Sequence, residues 1–168
     1  MSWIAAIDLG ASSGRVIIGK LSADRLVTRE VHRFANETVR LPGAAGATLC
    51  WSITGLFAEI CKGLERAIQE VGTLEAIGID TWGVDYGLLD ADGVLAAPVV
   101  HYRDRRTHGV PDQVSQSIDP QRLYELNGTQ VQEFNTVYQL VASADSSALQ
   151  RASSLVLVPD LLGYWLTG

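Results

Sequence analysis

The segment WIAAIDLGASSGRVIIGKL, Trp3–Leu21, decides the fold that we expect for this chain. Two apolar runs, Trp3–Ile7 and Val16–Ile18, flank a polar stretch that contains Gly10 and Gly14. Apolar runs of this length bounded by glycine are typical of strands, so the segment predicts a β-hairpin. The short side chains between the two glycines leave backbone N–H groups accessible, which suits an anion such as phosphate.

The tip of this hairpin also carries polar side chains that suit a phosphate group and its counterion. Ser12 and Ser13 offer hydroxyl groups, and Arg15 offers a planar cation that can bind two phosphate oxygens at once. Asp8 ends the first apolar run, where a carboxylate can hold a hydrated Mg²⁺ beside the phosphate. Glycine, serine and aspartate are equally common in ordinary turns, so the motif alone leaves both interpretations open.

Composition limits the classes of protein to which the chain can belong. Its 168 residues suffice for one domain with a substantial core, and 47% of them are hydrophobic. The net charge of −6 gives no electrostatic support for nucleic-acid binding. The sequence shows neither a membrane-length apolar run nor a leader pattern, so we expect a cytoplasmic protein without a membrane partner. Cys50 and Cys61 form no metal or disulfide pattern and are interpreted as small buried side chains.

The order of the elements after the hairpin predicts a mixed sheet. Arg25–Phe34 reads as a third, antiparallel strand, and Leu56–Val71 carries apolar residues at helical spacing, with Ser52 or Thr54 as the cap. A strand over Glu75–Asp80 follows. Three antiparallel strands, a crossover helix and a further strand are the order of a ribonuclease H-like α/β sheet, with the last strand parallel to its neighbour.

Two other segments give weaker expectations. Asn36–Thr48 contains Pro42-Gly43 and is predicted to be a loop, to which no function is assigned. A short edge strand over Leu49–Trp51 is predicted to follow it. Asn135–Ala144 is predicted to be a helix whose apolar residues Val137, Leu140, Val141 and Ala144 lie on one face.

A second candidate site, DTWGVDY over Asp80–Tyr86, follows the end of a predicted strand. Open α/β sheets bind their ligands at that edge. Carboxylates such as Asp85 can accept hydrogen bonds from sugar hydroxyls, and the indole of Trp82 can cover the C–H face of a sugar. The alternatives are that Trp82 fills the core and that Asp85 is a solvated loop residue.

The third candidate is YRDRRT, Tyr102–Thr107. Tyr102 and Asp104 are placed to cover a polar substrate, whereas Arg105 and Arg106 are interpreted as a solvated charged face. His101 and His108 flank the segment, and neither is assigned a catalytic role because no nucleophile accompanies them.

Together the candidate motifs resemble the N-terminal part of the FGGY carbohydrate kinases. The strings that carry the resemblance are IDLGASSGR, GIDTWGVDYGLLD, HYRDRRT and EFNTVYQL, and the similarity extends over Ile4–Gly168. The resemblance implies an actin-like, ribonuclease H-type fold. It also implies transfer of the ATP γ-phosphate to the 1-hydroxyl of a ketose, with ATP and Mg²⁺ as cofactors.

The same resemblance implies roles for individual residues. The residues that would approach the ATP phosphates are Ala11, Ser12, Ser13, Gly14 and Arg15, with Asp8 near Mg²⁺. Gly83 matches a position that contacts the sugar, through its backbone, and Tyr102 matches an aromatic sugar-contacting position. Trp82, Asp85 and Asp104 are expected in the sugar site because they are neighbours within the matching motifs.

One component of the resembled family is missing from this sequence. The catalytic base of those kinases is an aspartate in a G-H-D-T or S-H-D-T string, which does not occur here. We therefore expect residues 1–168 to be a partial N-terminal domain that is inactive alone, assign no catalytic residue, and expect self-association through surfaces that the missing part would cover. An actin-like ATPase and a non-catalytic sugar- or nucleotide-binding module stay open as alternatives.

Overall fold

The computed structural model describes residues 2–43 and 46–168 of the chain. In chain order the elements are β1 (Trp3–Leu9), β2 (Ser13–Leu21), β3 (Leu26–Ala35), β4 (Thr38–Leu41), β5 (Thr48–Trp51), α1 (Ile53–Val71), β6 (Leu74–Asp80), β7 (Tyr86–Leu89), a 3-10 turn (Arg105–Thr107), α2 (Val110–Ser115), α3 (Pro120–Asn127), α4 (Thr136–Ala142), α5 (Ser147–Arg151), β8 (Ser154–Leu157) and α6 (Val158–Thr167). They divide into two compact units. One consists of residues 2–39, Trp51–Gly83 and Val158–Gly168, and the other consists of Arg40–Cys50 and Val84–Leu157.

The first unit contains a four-stranded sheet with the order β3-β2-β1-β6. β1 pairs antiparallel with β2, β2 pairs antiparallel with β3, and β1 pairs parallel with β6. The predicted mixed sheet, with three antiparallel strands and a parallel strand after a crossover helix, is therefore confirmed. β6 borders only β1 in this sheet, and Ile77 on β6 is 45% exposed. Self-association through such a surface stays a prediction.

The core of the first unit lies between this sheet and its helices. The side chains of Val16, Ile18 and Ile60 are completely buried. α1 approaches β2 so closely that a Cβ atom on Gly63 would lie 2.4 Å from Val16 Cγ2. Any larger side chain at residue 63 would have to push α1 away from the sheet. The strand that carries the hairpin tip is thereby fixed against a rigid helix.

The predicted hydroxyl cap of α1 is wrong in its details. Ser52 is the N-cap residue, but its side chain makes no capping hydrogen bond, and Thr54 lies inside the helix. The N–H group of Ser52 instead donates to the carbonyl oxygen of Glu37 (3.1 Å), which ties the start of α1 to the chain after β3. At the other end, Gly72 adopts a φ of 81° that favours glycine, and its N–H group donates to Ile68.

The second unit contains the antiparallel pair β7 and β8, with Tyr86 opposite Leu157. Two sequence-based expectations were met only in part. The predicted loop Asn36–Thr48 contains strand β4, which pairs with β5, and its other described residues up to Ala47 lie outside helices and strands; residues 44 and 45 are outside the described part of the chain. The predicted helix Asn135–Ala144 corresponds to α4, which ends at Ala142; Val137 and Val141 on its apolar face are each 36% exposed, whereas Tyr138 and Gln139 are buried.

No helix in the described part of the chain has both the length and the apolar character needed to cross a membrane.

Candidate functional site

The tip of the β1–β2 hairpin is a tight turn over Gly10, Ala11 and Ser12. It closes through a hydrogen bond from the N–H group of Gly10 to the carbonyl oxygen of Ser13 (2.9 Å). Ala11 and Ser12 are exposed. Within residues 2–43 and 46–168, no hydrogen bond takes up their backbone N–H groups. The turn therefore presents accessible backbone donors.

Gly14 follows the turn, and the close packing around it leaves no space for a side chain at residue 14. A Cβ atom on Gly14 would lie 2.4 Å from the ring of Phe34 and 2.7 Å from the side chain of Leu9. Gly14 is opposite Phe34 in the β2–β3 pairing, so the ring lies directly over the glycine. The close packing fixes the second strand immediately after the turn.

Asp8 and Arg15 form an ion pair at the base of the turn. They are opposite each other in the β1–β2 pairing, and Arg15 Nε and Nη2 lie 2.7 and 2.6 Å from Asp8 Oδ2. Both side chains remain partly exposed, at 38% for Asp8 and 43% for Arg15. A carboxylate and a guanidinium are therefore held side by side below the accessible amides, within reach of solvent.

Asp80 lies next to Asp8, because the two residues are partners in the parallel pairing of β1 and β6. The sequence analysis placed Asp80 in the second candidate motif and did not associate it with Asp8. No group of three or more histidine, cysteine, aspartate or glutamate residues that could hold a metal occurs among the described residues. Mg²⁺ beside a nucleotide commonly uses one or two carboxylates together with phosphate oxygens and water, and Asp8 with Asp80 fits that requirement.

Trp82 and Gly83 follow β6 in the first unit. Trp82 stacks on the buried Trp51, with ring centroids 4.0 Å apart, and keeps part of its own surface exposed. Gly83 is exposed, and a Cβ atom there would have no neighbour within 4 Å. Its φ lies outside the left-handed region. Neither steric contact nor backbone conformation within the described chain therefore requires glycine at residue 83.

Asp85 is completely buried in the second unit, so the interpretation as a solvated loop residue is wrong. Its Oδ2 accepts a hydrogen bond from the N–H group of Tyr102 (3.1 Å), and its Oδ1 accepts one from Gln139 Nε2 (2.9 Å). The preceding residue, Val84, has a φ of 70°, which is strained for a β-branched side chain. The carbonyl of Val84 accepts a hydrogen bond from Thr136 Oγ1 (2.8 Å), which helps to hold that conformation.

Asp104 holds the segment that follows Tyr102. Its Oδ2 accepts a hydrogen bond from the N–H group of Leu49 (2.7 Å), and its Oδ1 accepts one from the N–H group of Arg106 (3.0 Å). Arg106 is not the solvated residue that the sequence predicted. Its guanidinium donates to Gln139 Oε1 (2.7 Å) and to Ser143 Oγ (3.0 Å). Gln139, a residue that the sequence analysis gave no role, thus joins the Asp85 and Arg106 contacts.

Tyr102 is partly exposed and is surrounded by other rings in the second unit. Its ring lies 4.5 Å from that of His101 and 6.1 Å from that of Phe134, the latter edge-on, and the Arg103 guanidinium lies over it at 5.2 Å. Burial, assisted by the charge of Arg103, lowers the pKa of His101 to about 4. His101 is therefore neutral near pH 7, and its Nδ1 accepts a hydrogen bond from the N–H group of Arg103 (2.9 Å).

The residues predicted for phosphate, metal and sugar contacts are thus distributed over both units. The first holds the turn residues Ala11–Arg15 with Asp8, together with Trp82 and Gly83, and the second holds Asp85, Tyr102 and Asp104. Each unit orders its own part by strand pairing, ring stacking or buried hydrogen bonds.

Comparison with known proteins identifies the family to which this arrangement belongs. Residues 3–168 match the N-terminal domain of the FGGY family of carbohydrate kinases. The chain is 43% identical to a rhamnulokinase of Mannheimia succiniciproducens, with 98% of this chain and 34% of the relative covered. It is 41% identical to a rhamnulokinase of Oceanobacillus iheyensis, with 97% and 34% covered. The chain therefore spans about a third of the length of these relatives.

A solved structure supports the same assignment at the level of the fold. The crystal structure of a xyloylose kinase from Brucella ovis matches with a TM-score of 0.79 at 17% identity, covering 97% of this chain and 34% of that chain. The predicted actin-like fold is thereby confirmed. The chain belongs to the FGGY family of carbohydrate kinases.

Proposed function

We propose that this chain supplies the phosphate-binding hairpin and part of the sugar site of a kinase that transfers the ATP γ-phosphate to the 1-hydroxyl of a ketose, L-rhamnulose. The observation that carries the proposal is the hairpin tip. Exposed Ala11 and Ser12 amides lie next to the Asp8–Arg15 pair. The choice of ketose rests on the rhamnulokinases that are 43% and 41% identical to the chain.

At the phosphate end, catalysis of phosphoryl transfer consists mainly of positioning and of neutralising charge. The backbone N–H groups and hydroxyls of Ala11–Gly14 bind phosphate oxygens, and the Arg15 guanidinium stabilises the charge that moves onto them. Asp8, with Asp80 beside it, would hold Mg²⁺. Mg²⁺, when bound, supplies positive charge to the phosphate groups.

For the sugar, the first unit offers Gly83, which would bind a hydroxyl through its backbone, and Trp82, which would offer an aromatic face to the C–H groups. In the second unit, Tyr102 is the proposed aromatic contact. Asp85 is completely buried and bonded to the N–H group of Tyr102, so it contributes by holding that residue in place. Asp104 supports the same segment through its bonds to Leu49 and Arg106.

A ketose hydroxyl needs a positioned base to accept its proton. The sequence contains no His-Asp-Thr string, so we assign the base to a part of the kinase outside this chain. Neither Asp8, which would hold Mg²⁺, nor Asp85, which is buried and bonded to the N–H group of Tyr102, is suited to replace it. The chain by itself is therefore proposed to be inactive.

The test compares a full-length kinase that contains this chain with residues 1–168 alone. The full-length protein is expected to release ADP only when ATP, Mg²⁺ and L-rhamnulose are all present, and to be slower with D-xylulose and glycerol. The isolated chain is expected to release none. ADP release without any sugar would favour the actin-like ATPase. Binding of nucleotide or sugar without turnover would favour the binding module. Turnover by the isolated chain would mean that the base lies within it.

A further inference from the structure

Asn36 lies immediately after β3, at the start of the segment to which the sequence gave no function. The residue is only 7% exposed. Its backbone N–H group donates to the carbonyl oxygen of Ser12 (3.1 Å), and its side-chain Nδ2 donates to the carbonyl oxygen of Gly10 (2.8 Å). One residue therefore bonds both carbonyl groups that flank Ala11 at the hairpin tip.

These two bonds decide which backbone atoms the turn presents. The Ser13 carbonyl already accepts from the N–H group of Gly10, so the carbonyl oxygens of Gly10, Ser12 and Ser13 are all engaged within the chain. A peptide plane cannot turn its oxygen outward while that oxygen is bonded inward. An outward-facing carbonyl oxygen would repel an anion, whereas an outward N–H group attracts it. Asn36 therefore turns the carbonyl oxygens of Gly10 and Ser12 inward, and the N–H groups of the same peptide planes, those of Ala11 and Ser13, point the opposite way.

The residues on either side of Asn36 are held in place by contacts of their own. Two residues earlier, the ring of Phe34 packs on Gly14, and one residue later the carbonyl of Glu37 accepts from the N–H group of Ser52 at the start of α1. The turn is thus connected to the helix that packs on the sheet.

The orientation of the Asn36 side-chain amide leaves one of its buried atoms without a hydrogen bond in the described part of the chain, which is unfavourable for the stability of the fold. Asn36 Oδ1 is buried and has no hydrogen-bond partner among residues 2–43 and 46–168. Exchanging the two amide atoms would place Oδ1 against the Gly10 oxygen, so the Nδ2 contact fixes the orientation. A buried acceptor that lacks a partner within the described residues, such as Asn36 Oδ1, is unfavourable. It accompanies the bond from Asn36 Nδ2 to the Gly10 oxygen, and that bond orients the turn.

We propose that Asn36 is the positioning residue of the phosphate turn, which holds the carbonyl oxygens of Gly10 and Ser12 inward, and thereby the N–H group of Ala11 toward the ATP phosphates, without itself contacting the nucleotide. This inference rests on the proposed kinase function. In the full-length kinase, Asn36→Ala is expected to raise the KM for ATP and the Kd for Mg²⁺-ADP about tenfold and to lower kcat. The KM for the ketose is expected to change by less than about twofold, because its contacts lie elsewhere.

Asn36→Asp separates the hydrogen bond from packing. It keeps the size of the side chain but replaces the donor by an oxygen facing the Gly10 carbonyl, so it is expected to weaken ATP binding at least as much as the alanine variant. Asn135→Ala is the matched control, since Asn135 Nδ2 also donates to a backbone carbonyl at 2.8 Å, that of Gln130 in the second unit. This control is expected to leave the KM for ATP unchanged.

The outcomes separate the inference from the function on which it rests. A wild-type protein that phosphorylates no ketose would remove the proposed function. An active wild type with variants that raise both KM values equally, or leave both unchanged, would overturn the role of Asn36 alone. Loss of folded protein in both Asn36 variants, measured by thermal unfolding, would overturn it too, because Asn36 would then stabilise the fold instead of positioning the turn.

Discussion

Substitution of Gly83 by leucine separates sugar binding from folding. A Cβ atom at residue 83 meets nothing within 4 Å, and the φ of Gly83 lies outside the left-handed region, so the side chain fits without strain. We expect the free energy of unfolding to change by less than about 1 kcal/mol. A leucine side chain over the proposed sugar contact removes a backbone hydrogen bond and fills the space. The ketose KM should therefore rise roughly tenfold to a hundredfold, equivalent to about 1–3 kcal/mol.

The assay is coupled ADP release in the full-length kinase, with each substrate varied in turn, together with thermal unfolding of every variant. Gly78→Leu is the matched control, because Gly78 also has open space at its Cβ position and lies in the same unit on β6. It is expected to leave both KM values within about twofold. Equal increases in the KM for ATP and for the ketose in Gly83→Leu, or a ketose KM like that of the control, would refute the assignment of Gly83 to the sugar site.

The remaining predictions concern the phosphate turn in the first unit and His101 in the second. Arg15→Ala is expected to lower kcat roughly tenfold to a hundredfold with little change in the ketose KM. The control Arg33→Ala removes an exposed ion pair with Glu30 and should leave kcat within about twofold. Equal kcat values in the two variants would show that Arg15 is structural. Gly14→Ala should destabilise the chain by about 1–3 kcal/mol because its Cβ atom would lie 2.4 Å from the Phe34 ring, and an unchanged melting temperature would contradict the close packing. The pKa of His101 is lowered from 6.5 to about 4 by burial, so between these values the unfolded chain binds more protons and stability falls as the pH falls. The urea midpoint should therefore be higher at pH 7 than at pH 5, with a smaller difference in His101→Gln.

Local sequence patterns predicted the elements that form the first unit. Alternating or continuous apolar runs between glycines indicated β1 and β2, and helical spacing indicated α1, because burial on one side imposes these periods directly on the sequence. β4 was missed because its four residues, Thr38–Leu41, are too few to show a period and are followed by Pro42-Gly43.

The polar contacts of the second unit are long-range and leave no local pattern. In α4 the sequence placed Val137 and Val141 on one apolar face and gave no role to Gln139, yet Gln139 is 1% exposed and its amide bonds Asp85 and Arg106. These partners lie 54 and 33 residues away along the chain. Arg106 likewise belongs to a run of charges that locally resembles a solvated surface. Only the tertiary structure shows that it is bonded inward.

As with the fold, only part of the candidate site could be predicted from the sequence. Glycine, serine and aspartate at the hairpin tip indicated the proposed phosphate turn, and the resemblance indicated Gly83 and Tyr102 as proposed sugar contacts. Asn36 was missed because its bond to Gly10 depends on the register between β2 and β3. The neighbourhood of Asp80 and Asp8 was predictable in principle, since the carboxyl ends of parallel strands share one edge of a sheet.

The ion pair between Asp8 and Arg15 makes the two halves of the proposed ligand thermodynamically dependent on each other. Asp8 and Arg15 are paired with each other. If the proposed metal bound Asp8, it would release the guanidinium, and a phosphate bound by Arg15 would release the carboxylate, so each ligand would remove a competitor of the other. Linkage requires this coupling to be reciprocal: the metal raises nucleotide affinity by the factor by which the nucleotide raises metal affinity. Free phosphate or a free metal ion would have to break the pair without replacing it, so the proposed site would favour the metal–nucleotide complex.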